Sequence, residues 1–116
     1  MLIQVQDSLK FTPNLTRMIL AGQKTNTIRL EAKDLKEGDY AELVTRFDEN
    51  NTTTFAFARI THVETKPLAD IPMDLPGHEP YEDKAEMLAD FQRYYGEEVT
   101  LETIFIIYTF EVVMKV

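Results

Sequence analysis

The sequence contains no cysteine, and it has few basic side chains for its acidic content. The absence of cysteine excludes disulfide bonds, thiolate nucleophiles and thiolate metal ligands. Twelve Lys and Arg residues stand against twenty Asp and Glu residues, which gives a formal net charge of −8. Because proteins hold long duplexes by neutralising many phosphates with Lys and Arg, long duplex DNA is not expected as a partner. Any contact with nucleic acid should therefore be small and local.

Long hydrophobic runs are also absent. The longest apolar stretch, Ile104–Tyr108, is far too short to cross a bilayer, and the first residues lack the basic start and apolar run of a secretory signal. We therefore expect no membrane contact and a cytoplasmic location. The two histidines, His62 and His78, are isolated and show no ligand spacing, so we interpret them as ordinary strand or loop residues. Neither a metal ion nor another cofactor is expected.

The chain length and the spacing of apolar residues predict one α+β domain over residues 1–116. A first helix is predicted to begin at the N-cap Thr12 and to end at Gly22, and a second to begin at a capping box at Asp83 and to end before Gly96. Strands are predicted at 2–5, 25–30, 40–47, 53–64 and 103–116. Their pattern is mainly antiparallel, which predicts a small β-barrel.

Two connections carry clear turn signals. The residues Asp48–Asn51 favour a tight turn, so the strands on either side of them are predicted to form an antiparallel hairpin. A later segment is interrupted by four prolines, namely Pro67, Pro72, Pro76 and Pro80. Such irregular segments often carry functional side chains, so we expect some of them here.

Three polar residues, Lys24, Thr27 and Arg29, lie at the junction between the first helix and the next strand. A threonine hydroxyl becomes a nucleophile when a base takes its proton, and an amine can be that base if burial or a neighbouring cation lowers its pKa. A structural interpretation competes with this chemistry, because Lys24 and Arg29 also suit surface ion pairs with acids such as Glu31. On spacing alone the structural interpretation is favoured, since short motifs arise by chance.

The segment Gly22–Arg29 resembles the signature of the ASCH domain family, G-x-K-x-x-T-x-R, and matches all four fixed positions: Gly22, Lys24, Thr27 and Arg29. Further similarity lies at residues 36–39, 79–81, 86–91 and 94–96. The resemblance covers the chain from about Phe11 to the last strand. It implies a PUA-like fold, a small and mainly antiparallel β-barrel with two principal helices, and a cleft at the signature.

Some small bacterial ASCH proteins hydrolyse N(4)-acetylcytidine with a lysine, a threonine and a glutamate acting together. At the matching positions here, the resemblance implies that Thr27 attacks the acetyl carbonyl, Lys24 accepts its proton and Glu79 protonates the leaving amine. Gly22 and Arg29 would bind the substrate, and Arg29 would position it or stabilise the oxyanion.

The glutamate position departs from the family pattern, because Pro80 stands where a glycine is usual. Proline restricts the preceding residue to extended conformations, which affects where the carboxylate of Glu79 points. Three nearby acids, Glu82, Asp83 and Glu86, are alternatives to it.

Two other functions remain open at this stage. The same cleft could hold RNA, a few unpaired ribonucleotides, without chemistry, through Lys24, Arg29 and base stacking; a ribonuclease is the second alternative. The acids beyond residue 66 favour a modified nucleoside over long RNA. Four aromatic residues that could stack on a base are instead expected to pack in the core: Phe47, Phe55, Phe57 and Tyr81.

Overall fold

The computed structural model describes residues 4–116. In chain order its elements are β1 (Val5–Phe11), α1 (Pro13–Leu20), β2 (Asn26–Arg29), β3 (Tyr40–Asp48), β4 (Asn51–Pro67), α2 (Lys84–Tyr95) and β5 (Ile104–Lys115), with one 3-10 turn at Leu68–Asp70. The predicted α+β class with two principal helices is confirmed. No helix of residues 4–116 is long and apolar enough to cross a membrane.

Helix α1 begins and ends where its sequence signals are. The hydroxyl of Thr12 accepts a hydrogen bond from the backbone N–H of Leu15, and Pro13 occupies the first turn. At the other end Gly22 has a φ of +78°, and its N–H donates to the carbonyl of Ile19. A left-handed residue at this point turns the chain directly into β2.

The five strands form one sheet in the order β1-β3-β4-β5-β2. β1 pairs with β3 in parallel, and the other three pairs are antiparallel. The predicted closed barrel is wrong, because β1 and β2 lie at opposite edges of the sheet and are not paired within residues 4–116. Alternating apolar residues have the same period in an open curved sheet and in a barrel, so the sequence pattern could not separate the two.

The predicted hairpin is confirmed, with Asp48 opposite Asn51 across the turn from β3 to β4. Residues 2 and 3 of the predicted first strand, 2–5, lie outside the described residues; the strand that the structure shows begins at Val5 and runs on to Phe11. Polar residues such as Asp7 and Lys10 hid this extension from the sequence pattern. It matters for the site, because β1 brings Lys10 and Phe11 close to β2.

Two hydrophobic clusters lie on opposite faces of the sheet. In β5, residues 106, 108 and 110 pack in the first cluster, whereas residues 105 and 107 pack in the second, as expected for side chains that alternate along a strand. Ile19 of α1 belongs to the first cluster, and Met87 and Phe91 of α2 belong to the second. Each helix therefore covers its own face of the sheet.

The strand aromatics do not all pack as expected. Phe55 is buried in the first cluster, but Phe47 is 60% exposed. Phe47 lies near the end of β3, one residue before the hairpin turn, where the strand extends beyond both clusters. The prediction that each of these aromatics fills the core is therefore wrong for Phe47.

Candidate active site

A cleft of about 360 Å³ lies beside the short edge strand β2. Its volume falls in the range of clefts that bind small molecules. The signature contributes Lys24, Thr27 and Arg29, and the proline-rich loop contributes His78 and Glu79. Helix α2 supplies several further side chains to the wall: Asp90, Phe91, Arg93, Tyr94 and Tyr95. Residues distant in the chain are thus gathered at one site.

Lys24 is a buried ammonium group paired with one carboxylate. Its side chain is 2% exposed, and Nζ lies 2.9 Å from Oε1 of Glu79. Burial lowers the pKa of Lys24, and the charge of Arg29 lowers it further, although Glu79 opposes both effects. Lys24 therefore loses its proton more readily than an exposed lysine does, as a general base requires.

Burial shifts the pKa of Glu79 in the opposite direction to that of Lys24. Burial by itself raises the pKa of this carboxyl, but the positive charge and the hydrogen bond of Lys24 lower it, and the pKa lies below its ordinary value. The carboxylate is consequently ionised near neutral pH. An ionised Glu79 can donate a proton to a leaving group only after it has received one from a neighbour.

Thr27 and Arg29 lie on the same face of β2, two residues apart. Nε of Arg29 donates a hydrogen bond of 2.9 Å to Oγ1 of Thr27, and Nη2 donates to the carbonyl of Lys10 at 2.7 Å. The guanidinium also lies 5.0 Å from the ring centre of Phe11. These contacts fix Arg29, and a charged donor on the Thr27 oxygen favours the deprotonated hydroxyl.

The loop that carries Glu79 is bonded directly to the signature. The backbone N–H of Thr25 donates to the carbonyl of Gly77, and the side-chain amide of Asn26 donates to the carbonyl of Pro76, both at 2.8 Å. A proline at position 80 favours an extended Glu79, and the carboxylate of Glu79 reaches Lys24.

The alternative acids have other contacts. The carboxylate of Asp83 accepts the N–H of Glu86 at the start of α2, and the carboxylate of Glu86 accepts the N–H of Glu82. Asp83 and Glu86 therefore stabilise the helix N-terminus, while Glu79 contacts Lys24.

We expect Gly77→Ala to destabilise the protein by about 1–2 kcal/mol more than Gly22→Ala does. Both glycines have a φ of +78°, so the backbone strain of an alanine is matched. A Cβ at Gly22 would meet open space, whereas a Cβ at Gly77 would overlap the hydroxyl of Thr25. Urea denaturation of the two variants measures the difference. Equal midpoints would show that the loop does not need this close approach.

Gly22 does not line the cleft with the other signature residues; it borders a separate shallow groove together with Ile19 and Lys115. Its clear role is to end α1, as described above. Within residues 4–116 no three His, Asp or Glu side chains gather as metal ligands.

Several cleft residues were missed by the sequence interpretation. The imidazole of His78, taken for an ordinary loop residue, is 3.2 Å from the carboxylate of Glu79. Tyr81 packs against the second hydrophobic cluster, as expected, but it also lines the cleft and donates a hydrogen bond of 2.6 Å to Asp90. Tyr94 of α2 also lines the cleft and is 64% exposed. The adjacency of His78 to Glu79 was the one available signal.

Comparison with solved structures gives the same fold at high coverage. A DUF984 protein of Enterococcus faecalis superposes with a TM-score of 0.72 at 19% identity, covering 100% of this chain and 84% of the other. The ASCH domain of Lactobacillus crispatus gives 0.66 at 16%, with 97% and 82% covered. ASCH from Zymomonas mobilis gives 0.66 at 12%, with 95% and 70% covered.

The chain has the ASCH fold. No family model and no curated protein sequence matches it. The resemblance seen in the signature is thus confirmed at the level of the fold. In this ASCH fold the signature spans the turn after α1 and the edge strand β2, which brings Lys24, Thr27 and Arg29 to the wall of one cleft.

Proposed function

We propose that the cleft hydrolyses the acyl amide of a modified nucleoside, with N(4)-acetylcytidine as the substrate to test first. The observation that carries this proposal is the buried contact of 2.9 Å between Lys24 and Glu79 in the same cleft as Thr27. Amide hydrolysis needs a nucleophile, a base and a proton donor for the leaving nitrogen. Thr27, Lys24 and Glu79 have the required chemistry.

In the first step Oγ1 of Thr27 attacks the acyl carbonyl carbon while neutral Lys24 accepts the hydroxyl proton. The carbonyl oxygen becomes an oxyanion, and the guanidinium of Arg29 is the nearby fixed positive charge that stabilises it. Two of the five N–H donors of Arg29 are used by Thr27 and Lys10. The other three have no acceptor among residues 4–116, and we assign them to the substrate.

In the second step the carbon–nitrogen bond breaks and the leaving amine takes a proton from Glu79. Because Glu79 is ionised at rest, this proton comes from Lys24 across the contact of 2.9 Å. The products of this step are cytidine and an ester on Thr27. Water then hydrolyses the ester, which releases acetate and a proton and restores the hydroxyl.

The rest of the wall suits a flat, polar ligand. Tyr81, Phe91 and Tyr95 provide aromatic surface, and Asp90 adds a carboxylate that can accept a hydrogen bond. Aromatic rings bind a base by stacking, and polar groups at the edge select it. A single modified nucleoside is therefore a better match than a long polyanion for a chain with a net charge of −8.

Turnover is expected to rise with pH as Lys24 loses its proton, and to level off below the pH at which an ordinary lysine titrates. The sign follows from the lowered pKa of Lys24, because only its neutral form accepts the Thr27 proton. The profile of kcat/KM against pH measures this, with the uncatalysed hydrolysis subtracted. Activity that falls over the same range would contradict the assignment of Lys24 as the base.

The proposal is tested by incubating the protein with N(4)-acetylcytidine and separately with short single-stranded RNA. We expect conversion to cytidine and acetate in the first reaction and intact RNA in the second. Lys24→Ala and Thr27→Ala proteins, assayed in parallel, should lose the conversion. Absence of turnover at high enzyme concentration, with both variants folded, would exclude this substrate.

A non-catalytic RNA-binding cleft is the second candidate function. Tyr94 favours this function, because its side chain is 64% exposed at the border of the cleft. An exposed aromatic ring of this kind can stack on an unpaired base. Saturable binding of short RNA without product formation would support it. A ribonuclease is less favoured, because of the two histidines only His78 lines the cleft.

A further inference from the structure

We infer that His78 is a positioning residue of this site, which holds the carboxylate of Glu79 in place against Lys24. The geometry that carries the inference is a carboxylate bridged between two nitrogen atoms. Oε1 of Glu79 is 2.9 Å from Nζ of Lys24, and Oε2 is 3.2 Å from Nδ1 of His78. The expected loss of activity when His78 is replaced rests on the proposed function, whereas the expected change in the pKa of Lys24 does not.

The hydrogen on the imidazole can be assigned from its partners. Nδ1 of His78 is also 3.0 Å from the backbone carbonyl oxygen of Glu79. A carbonyl oxygen only accepts, so Nδ1 must carry the hydrogen, and it donates toward both oxygens of its neighbour. In the neutral ring Nε2 then holds the lone pair.

The surroundings keep this ring in place and largely uncharged. The side chain of His78 is 8% exposed, its backbone N–H donates to the carbonyl of Leu75, and its ring centre lies 6.2 Å from that of Tyr81. Burial lowers the pKa of His78 and so does the charge of Lys24, against the opposing charges of Glu79 and Asp90. His78 is therefore a fixed donor that adds little positive charge beside Lys24.

The reason for a neutral donor lies in the chemistry of Glu79. A fixed cation at this position would lower the pKa of Glu79 further and weaken it as a proton donor. Without any donor, the side chain of Glu79, which is 30% exposed, is free to turn its carboxylate toward solvent. Lys24 would then lose the anion that opposes its burial, and its pKa would fall.

The test measures the pKa of Lys24 by NMR titration of its side-chain carbon resonances in His78→Phe and His78→Asn proteins. Phenylalanine fills the space without a donor, whereas the asparagine amide can replace the Nδ1–H group. We expect the pKa of Lys24 to fall by about one unit in His78→Phe and to stay at the wild-type value in His78→Asn. His62→Phe is the matched control, since the His62 side chain is 59% exposed and does not line the cleft.

Activity supplies a second comparison. With N(4)-acetylcytidine we expect kcat of the His78→Phe protein to be about 10- to 100-fold below the wild-type value, with KM little changed. We expect kcat of the His78→Asn protein to lie close to the wild-type value. If the wild-type protein does not turn over this substrate, the proposed function fails while the Lys24 titration still decides the role of His78.

Two results would overturn the inference. One is a pKa of Lys24 that is unchanged in His78→Phe. The other is an equal shift in the Phe and Asn proteins, which would show that the shape of the side chain matters and the hydrogen bond does not. If circular dichroism shows that His78→Phe is unfolded, His78→Met provides the variant without a donor.

Discussion

Replacing Thr27 by valine is expected to reduce turnover of N(4)-acetylcytidine about 1,000-fold or more, with the fold retained. Valine has the shape and the strand preference of threonine, and Thr27 is a buried residue of β2 that is only 5% exposed. The substitution removes the attacking oxygen and, with it, the acceptor of the hydrogen bond from Nε of Arg29. Initial rates at saturating substrate measure the loss, and circular dichroism checks the fold.

Two further variants make this result specific. Thr27→Ser keeps the hydroxyl and should retain much of the activity that valine removes. Thr53→Val makes the same chemical change at an exposed position of β4 and should leave turnover unchanged. A Thr27→Val protein that works within about tenfold of the wild type would exclude Thr27 as the nucleophile.

The second large effect is expected for Lys24→Met, with a loss of about 100- to 10,000-fold in kcat, the range typical of a removed general base. Methionine keeps the length and the apolar stem of the buried side chain, and it removes the amine. Because Lys24 is proposed to act on a proton and not on the substrate, KM should change far less than kcat. Steady-state kinetics at several substrate concentrations separate the two parameters.

Lys36→Met is the matched control for this variant. Lys36 lies in the exposed turn before β3, so the same loss of charge at that position should not affect turnover. If Lys24→Met instead raised KM and left kcat unchanged, Lys24 would be a binding residue, and the RNA-binding interpretation of the cleft would gain support.

The parts of the fold that sequence reasoning predicted well are those with strong local signals. Thr12, Pro13 and Gly22 mark the limits of α1 through capping geometry that depends on neighbouring residues only. Asp83 and Gly96 do the same for α2. The alternation of side chains along a strand places Thr27 and Arg29 on one face of β2, and their hydrogen bond agrees with this placement.

The parts that could not be predicted depend on contacts between distant segments. Closure of the sheet depends on how β1 and β2 are placed relative to each other, which no local pattern encodes. The direction of the Glu79 side chain depends on the hydrogen bonds of Thr25 and Asn26 to a loop some fifty residues away. The place of His78 in the cleft follows from that same loop.

The fold places the signature residues at an edge of the sheet beside the cleft. Strand β2 is short and lies at the edge of the sheet beside β5, so one side of it is open to the cleft. Its neighbour Lys24 is nevertheless buried. A buried amine and a threonine hydroxyl that line the same cleft are the combination that a lysine-activated nucleophile needs.

The most direct test of this account is to analyse the products of wild-type turnover in the presence of hydroxylamine. If an ester forms on Thr27, hydroxylamine will compete with water for it. A fraction of the acetyl groups will then be released as acetohydroxamate, while the initial rate of cytidine release stays unchanged. Thr27→Val protein in the same mixture corrects for direct reaction of hydroxylamine with the substrate. Cytidine release accompanied by acetate alone, at concentrations of hydroxylamine that trap model esters, would contradict a covalent intermediate on Thr27.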